Sequence, residues 1–62
     1  MFKVGEKVVH FTGLTWGTVV GYKEVGGVIH AVIRHEDPYY KNHDDGIGMW
    51  LPSVLRAKKD TA

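Results

Sequence analysis

Gly5-Glu6-Lys7-Val8-Val9-His10-Phe11-Thr12-Gly13-Leu14-Thr15-Trp16-Gly17-Thr18-Val19-Val20-Gly21-Tyr22 reads as two strands and their connection. Gly5 opens a β-branched run, Gly13 sits where the chain must reverse, and Gly17 and Gly21 punctuate a second run of Thr, Val and aromatic residues. Alternation over Lys3 to Phe11 puts Glu6, Val8 and His10 on one face, with Val8 the candidate core residue. From Thr15 to Glu24 it puts Trp16, Thr18, Val20 and Tyr22 on one face, and Gly17, Val19 and Gly21 on the other. Glycines inside a strand mark a bulge, a bend or a close backbone approach, and no helix follows them to cradle a phosphate.

Working outward, Val25-Gly26-Gly27 predicts a tight hairpin turn into a third strand, Val28 to His35, in which Ile29, Ala31 and Ile33 alternate with Val28, His30, Val32 and Arg34. Glu36 to Gly46 is polar, contains Pro38 and lacks periodicity, so it reads as a loop, long for a hairpin and carrying Tyr39 and Tyr40. Ile47 to Leu51 is a short fourth strand. Pro52-Ser53-Val54-Leu55 is a single helical turn, and Arg56 to Lys58 a brief last strand. No segment has sustained helical spacing, so the class is all-β.

At 62 residues the chain holds one domain, placed at residues 1–58 with a frayed tail over 59–62. A domain this small buries only about 60% of its unfolded surface, so an association surface, including one between copies, would add stability. The absence of cysteine excludes disulfides and thiolate zinc sites. No stretch is long and apolar enough for a bilayer, no signal peptide is evident, and the default location is the cytoplasm. A net charge of +1 gives no general attraction to nucleic acid, leaving a local patch at Arg56, Lys58 and Lys59 as the possible contact.

His35, Glu36, Asp37, His43, Asp44 and Asp45 flank or lie in the long loop, but their spacing matches no metal motif, so they read as solvated loop residues with no metal. Ser53 or a threonine with His and Asp could suggest hydrolysis, yet no nucleophile elbow is present, so no catalytic residue and no cofactor is assigned. Trp16, Tyr22, Tyr39, Tyr40 and Trp50 point instead to recognition, because small β domains bind peptides or bases through exposed aromatics, with core filling the equal alternative for Trp16 and Trp50.

Gly48-Met49-Trp50-Leu51-Pro52-Ser53-Val54-Leu55 resembles the end of an SH3-like barrel, where an apolar strand leads through a proline turn into the closing strand. Together with Gly5 to His10 and Val19 to Val28, it resembles the RNA-polymerase-interacting domain of CarD-type regulators and the transcription-repair coupling factor. That resemblance implies a five-stranded Tudor-like or SH3-like barrel that pairs a strand edge with the β subunit of bacterial RNA polymerase. The first hairpin is also similar to KOW motifs, which bind RNA or polymerase. Gly5 to Val8, Gly13 to Tyr22 and Ile47 to Trp50 further resemble type II dihydrofolate reductases, which are tetramers whose pore carries a Val-Gln-Ile-Tyr segment. Here Gly48 stands for the glutamine and Trp50 for the tyrosine, which favours the scaffold over the enzyme. The reading is a non-enzymatic protein-binding module of the transcription machinery, whose size also fits a phage-encoded inhibitor. Its candidate contacts are Val28, His30, Val32 and Arg34 on the third strand, with Tyr39 and Tyr40 on the loop.

Overall fold

β-branched runs broken by glycine turns fold into five strands: β1 (Lys7–His10), β2 (Trp16–Val25), β3 (Val28–His35), β4 (Ile47–Trp50) and β5 (Leu55–Ala57). A 3₁₀ turn at Pro52–Val54 precedes β5. The structure is a computed structural model that describes residues 2–38, 40–41 and 46–58. The all-β class, the five strands and the proline turn before the last strand are as the sequence predicts. Tyr39, His43, Asp44, Asp45, Lys59 and the tail, on which the sequence also bears, lie outside the described residues.

All strand neighbours are antiparallel and run in the order β4-β3-β2-β1-β5. This is an open sheet rather than the expected barrel: among the described residues β4 and β5 are end strands, and no ladder joins them. β1 and the end strand β4 nevertheless draw together across the core face, where the rings of His10 and Trp50 lie 5.1 Å apart. The 3₁₀ turn closes one side, with Phe11 N–H donating to the Val54 carbonyl at 2.9 Å.

The core is Val8, Val19, Ala31, Ile33 and Leu55, with Phe2, Tyr22, Trp50 and Val54 packed against it. Each large aliphatic side chain there contributes roughly 1.5 to 3 kcal/mol by leaving water. Gly17 lets the strands approach: a Cβ there would fall on the Arg34 carbonyl and 2.8 Å from Ile33. Alanine at 17 would therefore push β2 off β3.

The strict alternation expected along β2 fails at one place. A bulge between Val19 and Gly21 inserts Val20, so that Val19 pairs with Ile33 and Tyr22 with Ala31. Directly opposed residues share a face, so Tyr22 lies with Val19 on the core side, not with Trp16 and Thr18. The Tyr22 hydroxyl donates to the Phe2 carbonyl at 2.6 Å, fixing the N-terminal segment over the core.

Candidate functional site

Beside the core, an open cavity of about 580 Å³ is lined by His10, Thr12, Leu14, Thr15, Tyr40 and Trp50. Three parts of the chain build it: the end of β1 with the β1–β2 loop, the turn after β3, and the end of β4. Trp50 and Tyr40 form two walls at 81° to each other, with ring centroids 6.3 Å apart.

A buried polar cluster lies behind these walls. Asp37 is fully buried, and its Oδ1 accepts from the Thr15 hydroxyl at 2.5 Å and from Trp16 N–H at 3.2 Å. Its Oδ2 accepts from Tyr40 N–H at 3.1 Å. His35, also buried, brings Nδ1 to 3.1 Å from Thr15 Oγ1 and 3.3 Å from Asp37 Oδ1. Trp50 Nε1–H donates to His35 Nε2 at 3.2 Å. Because an indole N–H can only donate, His35 Nε2 holds the lone pair and Nδ1 carries the proton. One carboxylate thus fixes both walls, Trp50 through Thr15 and His35, and Tyr40 through its backbone.

Burial pushes the Asp37 carboxyl up, but hydrogen bonds from the Thr15 hydroxyl and from the Tyr40 and Trp16 N–H groups outweigh it and hold the group at about 2. Gly48 makes room for the cluster, since a Cβ there would stand 2.5 Å from His35 Nε2. The cluster is not a nucleophilic triad. Thr15 and Asp37 both meet the same nitrogen of His35, while the other nitrogen is taken by Trp50, so no base sits behind the hydroxyl.

The candidates named from sequence separate onto two faces. Val28, His30, Val32 and Arg34 share the outer face of β3, where Val32 pairs with Met49 and Arg34 with Ile47. Over these last two residues β3 is flanked by β2 and β4, so its backbone is no free edge there; among the described residues, 28–30 pair with β2 alone. Tyr40 lies on the opposite, core-facing side, with its ring 5.0 Å from that of His35. Trp16 is on the outer face, where Lys58 Nζ sits 4.8 Å from its ring centroid. Arg56 donates to the carbonyls of Ser53 and Leu55, both at 2.9 Å.

His35 and Asp37 are buried rather than solvated, which corrects the loop reading. They do not join Glu36 in a cluster, because Glu36 turns outward to Lys7 Nζ at 2.6 Å. Among the described residues no group of three or more His, Asp or Glu is placed to hold a metal ion. Nothing local in the sequence joins Thr15, His35, Asp37 and His10 into one site, since 20 and 22 positions separate Thr15 from His35 and Asp37. Gly48 within an apolar strand was the available signal.

Comparison of the chain with protein-family models, curated proteins and solved structures returns no match.

Proposed function

We propose that the chain is a non-enzymatic protein-binding module whose contact site is the aromatic cavity. The observation that carries this reading is the pair of walls, Trp50 and Tyr40, held in place from behind by one buried carboxylate and open to solvent in front. Preorganised aromatic surface lowers the entropy cost of capturing a partner. Among the described residues the outer edges of β4 and β5 pair with no strand and offer backbone groups for strand addition beside it.

The resemblance to RNA-polymerase-interacting domains names a partner to test, the β subunit of bacterial RNA polymerase. Titration of the chain against purified core polymerase and against its isolated β subunit should give saturable binding, weakened at least tenfold by Tyr40→Ala. Absence of binding overturns the transcription partner. Binding that ignores Tyr40→Ala but is abolished by Val32→Lys moves the contact to the outer face of β3.

A further inference from the structure

The cavity has a chemistry that narrows its occupant. Among the described residues its lining contains no Asp, Glu, Lys or Arg, so a phosphate finds no fixed counter-charge and a cation could be held only by the ring faces. Its two aromatic walls stand at 81°, which makes a corner. A flat nucleobase can stack its face on only one of two perpendicular rings, whereas a compact ring with thickness fills the corner against both faces.

His10 adds a ring donor to the site. Thr12 N–H donates to His10 Nδ1 at 3.3 Å, and the Thr12 hydroxyl lies 2.8 Å from the same nitrogen while accepting from Leu14 N–H at 3.4 Å. A backbone N–H can only donate, so Nδ1 is the acceptor and the proton of His10 is on Nε2. That leaves one N–H donor on a ring lining the cavity, and it calls for an acceptor on the ligand. The Trp50 N–H cannot serve, being spent on His35.

We propose that the cavity receives a proline-bearing segment in the polyproline II conformation, with a proline ring in the Trp50–Tyr40 corner and a neighbouring carbonyl on His10 Nε2. Such segments make no internal hydrogen bonds, so their carbonyls are available, and they are already extended before binding. This deepens the protein-binding reading and rests on it.

The test uses the whole chain and acetylated octaproline, followed by NMR of the Trp50 indole N–H and the His10 ring. Acetylated octa-alanine, tetramethylammonium chloride and adenosine serve as comparison probes. Octaproline alone should shift both signals saturably. His10→Phe, which keeps a ring and removes the donor, should weaken it about tenfold, and His10→Gln, which restores an N–H, should recover most of the loss. Because Trp50 also packs on the core, Tyr40→Ala tests the corner independently, and each variant's amide spectrum verifies its fold. Equal response to octa-alanine, preference for tetramethylammonium or adenosine, or full-strength binding by His10→Phe overturns the proposal. Failure of octaproline while polymerase still binds removes the ligand class and leaves the protein-binding reading; failure of both removes the two together.

Discussion

Glu36 and Asp37 are consecutive carboxylates that the backbone sends to opposite sides of the sheet. Glu36 meets Lys7 at the surface, with side chains 40% and 51% exposed, and shares Lys7 and Thr18 in a small solvated network. Asp37 meets His35 inside, with side chains 1% and 4% exposed, and satisfies donors from three separate segments. Lys7 and its hydrogen bond pull the Glu36 carboxyl below its usual range, yet water can replace that bond at little cost. Water cannot replace those of Asp37. Polar contacts that look alike as distances therefore differ in what depends on them.

The comparison breaks most visibly at Asp37→Ala. Four donors lose their acceptor in a buried site, and the expected loss is about 3 kcal/mol or more, a large share of the stability of so small a domain. Urea unfolding followed by tryptophan fluorescence measures it; a loss under about 1 kcal/mol would show that the cluster is replaceable.

Acid should have a smaller effect. The folded-state value of Asp37, about 2, lies below the 3.8 of a free carboxyl, so its ionised form favours the folded state. That stabilisation is complete above the unfolded value and is lost as pH falls from 3.8 through about 2. Its size is on the order of 2 kcal/mol. Asp37→Asn should start less stable and show a flatter acid limb in stability measured from pH 5 to pH 2; an unchanged limb assigns it to other carboxyls.

Thr15→Val keeps the shape and removes the hydroxyl that links His35 to Asp37. A cost of about 1 to 2 kcal/mol is expected, with a displaced Trp50 indole N–H resonance, because His35 loses one of the partners that orient it. An unmoved resonance would mean that Asp37 alone positions the ring.

The smallest change belongs to the surface pair. Glu36→Gln should cost less than about 1 kcal/mol and nothing measurable in 1 M salt. A larger, salt-resistant loss would erase the contrast between the two carboxylates.

Sequence carried the strands because their signals are local: β-branched runs, the Gly26-Gly27 turn, and Pro52 at the start of a turn. The close approach at Gly17 was legible for the same reason. The cavity was not. Asp37 beside Pro38 in a polar stretch has the composition of a solvated turn, and its burial depends on Thr15 and Trp16, which arrive from another strand. Trp50 carried the aromatic signal, but whether it fills the core or faces a ligand depends on His35 and Gly48, which hold its indole in between.

The inserted residue in β2 has a wider consequence. Before Val20, odd-numbered positions of the strand face inward; after it, even-numbered ones do. An ungapped alignment of this strand to a regular one would be in phase for one half and inverted for the other, matching Tyr22 with a surface position. The inside of this domain is thus encoded in two reading phases, and any search for relatives or any redesign of β2 has to change phase at Val20.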